Sequence, residues 1–108
     1  MMIFENPEFG RIRTVMDKKG EPLFCLADVC KVLGITNSRN VKNRLDEGDV
    51  HLVDTPTSSG TQRIAYTSEP GLYLTIMRSD SPVAKPFRKW VTSEVLPQIR
   101  KTGGYIPI

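Results

Sequence analysis

A chain of 108 residues, 39% hydrophobic and 25% charged, is long enough to bury one core and too evenly mixed for a disordered tail. Fifteen Lys and Arg against twelve Asp and Glu leave a formal charge of only +3, too little by itself to mark a nucleic-acid partner. No apolar run approaches the roughly 18–20 residues of a membrane span, Met1–Pro7 lacks the basic and apolar regions of a secretory signal, and two cysteines make no disulfide framework, so one soluble domain in a reducing cytoplasm is expected.

In chain order, residues 9–16 alternate Phe9, Arg11, Arg13 and Val15 against Gly10, Ile12, Thr14 and Met16, which predicts a strand with one face buried. Asp17-Lys18-Lys19-Gly20 is a turn, and residues 21–25 return as a second strand with Pro22 at its start. Residues 27–33 predict a short helix with Val29, Cys30 and Leu33 on one face. Asp28 favours its dipole, and Gly34 stops it. Asn37 or Ser38 then caps a helix running to Leu45 whose only apolar pair is Val41 and Leu45. Such a helix must expose most of itself.

Residues 49–55 and 62–67 read as two more strands joined by a loop of small, flexible residues at 56–61. Ser68-Glu69-Pro70 opens a helix that should turn Leu72, Tyr73, Ile76 and Met77 towards the core and end near Arg78. A last helix begins near Ser81-Pro82 and carries Phe87, Trp90, Val91, Val95 and Leu96. Pro86 puts its start in question, Pro97 should kink or end it, and Gly103-Gly104 closes it. The order is hairpin, helix, helix, hairpin, helix, helix. That predicts one small α+β domain over residues 1–108, winged-helix-like in its sequence of helix, turn, cationic helix and loop-tipped hairpin.

Charge is segregated along the chain. Residues 31–45 hold Lys31, Arg39, Lys42 and Arg44 without an acid, and residues 46–54 hold Asp46, Glu47, Asp49 and Asp54 without a base. From Pro82 onward, five bases face the single Glu94. Positive potential gathered in this way attracts polyanions. Solvated helix faces are the plainer explanation of the same pattern.

Several pieces together resemble the Bro-N domain. They include Gly20-x-Pro22-x-Phe24, Ala27-Asp28-Val29 with Leu33-Gly34, Gly60-x-Gln62 and Glu69-x-Gly71-Leu72-Tyr73. Ser81-x3-Lys85 and Phe87-x2-Trp90-Val91 follow, and the most specific is Glu94-Val95-Leu96-Pro97-x-Ile99-Arg100-Lys101-Thr102-Gly103. That family occurs in antirepressors of phages and prophages and in Bro proteins of large DNA viruses. The resemblance implies an N-terminal DNA-binding domain of a transcriptional regulator, usually followed by a separate C-terminal domain. Pro86 departs from the helix-compatible residue expected there. The motif residues are mostly apolar, glycine or proline, so they bring few contact residues with them.

DNA needs cations for its phosphates, and forked or amide side chains for its base edges. The helix after Gly34 offers both: Arg39 and Lys42 share one face, Asn40 and Asn43 another, and Arg44 lies one turn from Asn40. Lys31 extends the basic tract. Gln62 and Arg63 beside the second hairpin's loop would act as a wing, and Lys85, Arg88 and Lys89 would add phosphate contacts, with Trp90 in the core. Arg100 and Lys101 serve either DNA or the helix C-terminus.

Enzyme readings fare poorly. His51 is the only histidine and sits among acids with no nucleophile motif, and Cys25, Cys30 and one histidine do not complete a zinc site. No catalysis, cofactor or metal is expected. The expected partner is double-stranded DNA in a bacterial host, with homodimerisation as a way to raise affinity. The rival expectation is a module that captures a phage repressor protein without DNA.

Overall fold

The computed structural model describes residues 1–102. Its first strand, β1 (Met2–Asn6), is absent from the sequence-based expectation and pairs antiparallel with β2 (Gly10–Met16). The turn between them is closed by Asn6 Oδ1, which accepts the amide hydrogens of Glu8 at 2.7 Å and Phe9 at 3.3 Å. Phe9 therefore belongs to the turn, and its ring packs 5.6 Å from both Phe87 and Trp90.

Strand β3 (Pro22–Cys25) follows the predicted turn, where Gly20 takes φ 79 and Asp17 Oδ1 accepts from the amides of Lys19 and Glu21. Helices α1 (Leu26–Val32) and α2 (Ser38–Arg44) come next, then a 3-10 turn (Glu47–Asp49). Strands β4 (Val50–Thr57) and β5 (Gly60–Thr67) complete one five-stranded sheet in the order β1-β2-β3-β5-β4. The second hairpin is thus an extension of a common sheet, stitched to the first through Phe24↔Thr67 and Cys25↔Tyr66.

The flexible loop expected at 56–61 is instead strand on both sides of a two-residue turn, with pairing continued to Thr57↔Gly60. Small polar residues look like loop, but here they close the hairpin: Thr57 Oγ1 donates to the Gly60 carbonyl and accepts from the Ser59 amide. Pro56 is tolerated because β4 lies at the sheet edge.

Helix α3 (Glu69–Met77) is capped as its sequence predicts, with Ser68 Oγ accepting from the Gly71 amide and donating to Asp49 Oδ1 at 2.6 Å. Gly71 is required for close approach: a Cβ there would collide with Thr67 Oγ1 and crowd Asp49. The expected inward stripe is only half right. Leu72 and Ile76 are buried, Tyr73 is half-buried, and Met77 points out at 75% exposure.

The last segment is α4 (Ala84–Trp90), a π turn (Val91–Val95) and α5 (Leu96–Thr102). Pro86 sits in the first turn of α4, where its missing N–H has no intrahelical partner to lose. Pro97 does not end the segment. The ladder widens just ahead of it, with the Leu96 amide reaching back to the Val91 carbonyl, a π turn being one way to absorb a lost donor. The expected closure at Gly103-Gly104 lies outside the described residues.

One sheet face supplies Ile12 and Phe24 to a core with Val29, Leu72, Phe87 and Val95. The other face gathers Leu23, Cys25 and Tyr66, with Val15, Val53 and Ile64 around them. Between sheet and α1 lies the ion pair Arg13–Asp28. Asp28 Oδ2 accepts from the Arg13 backbone amide and from Nε, both at 2.9 Å, while Oδ1 accepts from a guanidinium nitrogen at 3.0 Å. The same nitrogen lies 3.3 Å from Cys25 Sγ. Burial alone would raise the Asp28 carboxyl, but these Arg13 hydrogen bonds outweigh it and hold the group below its usual range.

Breaking a partly buried pair from one side leaves a charge without its partner, so Asp28→Asn should cost about 3 kcal/mol in urea unfolding at pH 7. Because the Asp28 pKa is lowered on folding, its contribution is complete above the ordinary value of 3.8 and is lost as pH falls through the folded-state value. The wild type should therefore weaken more steeply than Asp28→Asn as pH falls from 3.8 towards that folded-state value, and parallel profiles across this window would refute the role. Gly71→Ala should destabilise by about 1–3 kcal/mol through overpacking, measured by the same unfolding.

Candidate nucleic-acid interface

The placement of α2 begins at the end of α1. Gly34 takes φ 72, its amide reaches the Lys31 carbonyl, and the Ile35 amide reaches the Cys30 carbonyl at 2.8 Å. This is a Schellman ending, and it redirects the chain sharply. Asn37 then caps α2, its Oδ1 accepting from the Asn40 amide at 3.2 Å. No residue of α2 is fully buried. Val41 and Leu45 are half-buried and line a trough of about 540 Å³ with Leu33, Ile35 and Thr75.

Arg39 and Lys42 lie on one side of α2, as their spacing predicts, and Arg63 of β5 meets them there. The three line a groove of about 370 Å³ with Ser38, Ala27 and Ala65. Arg63 stands opposite Asp54 in the hairpin register. Among the described residues, though, the ion pairs are Arg11–Glu5, Arg13–Asp28 and Arg100–Glu69. The cations of α2 and Arg63 thus have no acid partner, and the acids at 46–54 do not pair with them. Asp49 is engaged instead by Ser68.

Other expected contacts are dispersed. Asn40 and Arg44 line the trough on the far side of α2, where Arg78 joins them. Asn43 is exposed and lines neither the trough nor the groove. Gln62 is exposed opposite Thr55, and being next to Arg63 it projects from the other sheet face. The hairpin tip does not flank α2. Thr57 and Ser58 line a third groove, of about 760 Å³, with Lys31 and Arg11. Lys31 therefore sits apart from Arg39 and Lys42, although it is one helical turn from Ala27 on the same exposed edge of α1. Arg11 was missed in the sequence because it reads as an outward strand residue. Its salt bridge to Glu5, at 3.5 Å, is solvent-exposed.

Lys85, Arg88 and Lys89 are exposed on α4, outside all three of these grooves, and Trp90 beside them is buried. Arg100 faces Glu69 at 3.9 Å. Both cysteines are buried, and desolvation pushes their thiols up, Cys30 to about 11. They are protonated at neutral pH. Among the described residues, no three His, Cys, Asp or Glu side chains come together to hold a metal ion. The charged side chains gathered in the Arg39–Lys42–Arg63 groove are all cations, suited to holding an anion.

Comparison with known proteins places the match across most of this fold. The description "BRO family, N-terminal domain" matches residues 11–97. A Haemophilus influenzae protein is 48% identical over 95 residues, covering 87% of this chain and 47% of its own length. A protein of Invertebrate iridescent virus 6 named for its Bro-N domain is 38% identical over 103 residues, covering 78% of this chain and 25% of itself. Another, from Invertebrate iridescent virus 3, is 32% identical over 108 residues, 79% of this chain and 27% of itself. The chain thus spans about half of the bacterial relative and about a quarter of the viral ones. No solved structure gives a significant match.

With one side-chain cap and two half-buried anchors, α2 should open more readily than α3. Asn37→Ala should cost it about 1 kcal/mol, seen as roughly fivefold faster amide exchange over residues 41–45 with α3 unchanged. Equal acceleration in both helices would contradict this local role.

Proposed function

This chain belongs to the Bro-N family, the N-terminal domain of BRO proteins, and we propose that it is the DNA-binding domain of an antirepressor-type transcriptional regulator of phage or prophage origin. The observation that carries this reading is the convergence of Arg39, Lys42 and Arg63, from two elements remote in sequence, on one groove with no acid partner among the described residues. Unpaired cations at a shared groove suit consecutive phosphates of a duplex backbone. Helix α2, about 10–12 Å across with its side chains like any α-helix, fits a major groove about 12 Å wide. Asn40, Asn43 and Arg44 then carry the chemistry for base edges, since amides and guanidinium forks read them bidentately.

Lys31 beside the hairpin tip supplies a flanking phosphate contact, with the hairpin acting as a wing towards α1 and Gln62 at its side. Lys85, Arg88 and Lys89 add backbone contacts from α4. The domain binds without catalysis or cofactor, in the cytoplasm of a bacterial host. A formal charge of +3 gives a single copy modest affinity, and a second copy raises it through avidity.

The test is a titration of labelled random and operator-region duplexes at several salt concentrations. Arg39→Ala with Lys42→Ala should weaken binding by about tenfold or more and flatten the logarithmic salt slope by about 2. Unchanged affinity and slope in that variant would remove the assignment. Wild-type binding of a phage repressor protein that persists as salt rises, with no binding of either duplex, would favour the capture of repressor protein.

A further inference from the structure

Helix α3 is apolar on both faces, and only one of them is used. Gly71, Leu72, Thr75 and Ile76 turn inward and are buried. On the opposite side, Pro70, Leu74 and Met77 form an exposed ridge at helical spacing, with Leu74 at 37% and Met77 at 75% exposure. Tyr73 forms its shoulder, half-buried against the core. A helix apolar all round is ordinarily covered all round.

Cations outnumber acids on the rim of the ridge, where Arg78, Arg88 and Arg100 stand against Glu69 and the exposed Asp80. Arg78 follows Met77 directly and is exposed without an acid partner among the described residues. On the Tyr73 side, α4 packs against α3 and carries the exposed Arg88, and Arg100 of α5 reaches the start of α3. Glu69 is the acid on that side, already facing Arg100. A second copy of the chain is a poor occupant, because a two-fold contact between ridges would set these arginines against their own counterparts. Bare DNA is also poor, because it offers nothing for Leu74 and Met77.

We propose that the α3 ridge is a docking surface for an acidic amphipathic segment of a partner protein, a surface separate from the Arg39–Lys42–Arg63 groove. Apolar side chains of that segment cover Leu74 and Met77, and its carboxylates meet Arg78 on one flank and Arg88 on the other. This is the helix-in-groove mode in reverse, with the domain supplying the ridge and the partner the cover.

The test is a peptide-display selection against the whole chain with a random peptide library, followed by titration of the enriched peptides. The enriched pool should carry net negative charge and apolar residues three or four apart. Its members should bind roughly tenfold or more weakly to Leu74→Gln with Met77→Gln, and weakly to Arg78→Glu. The Leu74→Gln, Met77→Gln variant should keep its thermal midpoint and its affinity for duplex DNA. No enrichment, a pool without acidic bias, or peptides indifferent to these substitutions would overturn the proposal. So would loss of DNA affinity in the ridge variant, which would make the ridge part of the nucleic-acid surface. Ridge-dependent binding to vesicles of mixed neutral and anionic phospholipid would overturn it in favour of a membrane.

Discussion

The forked contact between Arg13 and Asp28 sets where α1, and after it α2, lies against the sheet. Its bidentate geometry fixes distance and orientation together, and the added bond from the Arg13 backbone amide ties the carboxylate to β2 itself. This pins the first turn of α1 across the sheet. The Schellman ending at Gly34 and the Asn37 cap then pass that orientation on to α2. Since α2 buries no residue completely, its place depends on what precedes it more than on its own packing.

The basic and acidic runs, adjacent in sequence, part company in space. The cations of α2 pair with no acid among the described residues, while the acids that follow lie in and around the 3-10 turn, where Asp49 is bonded to Ser68, and along β4. Neighbouring opposite charges that do not neutralise one another give the domain a directional field. Such a field orients an approaching polyanion before any contact is made.

Much of the fold could be read from local signals. Gly34, Asn37, Ser68 with Pro70, and the Asp17–Gly20 turn each act within a few residues of themselves, so their meaning survives without tertiary context. The misses have the opposite character. Strand β1 is short and needs its partner β2 to be recognised. In α3 nearly every position is apolar, so periodicity found a helix but could not choose between Tyr73, Met77 and the opposite side. The polar run 56–61 carries the composition of a loop, and only the continued strand pairing and the Thr57 hydroxyl bonds reveal that it zips shut. Arg63 reaching the flank of Arg39 and Lys42, and Lys31 falling beside the hairpin tip, follow from sheet order alone. No spacing rule encodes them.

Because no side chain of α2 is fully buried, the residues that would do its reading are not the ones that hold the fold. Arg39, Asn40, Lys42, Asn43 and Arg44 can be exchanged for other polar side chains without opening a cavity or stranding a buried charge, so long as Val41, Leu45 and the Asn37 cap stay. In engineering terms the domain is a chassis with an interchangeable surface helix. Libraries randomised at those surface positions should yield folded proteins at high frequency, a property that cores shared between structure and recognition do not have.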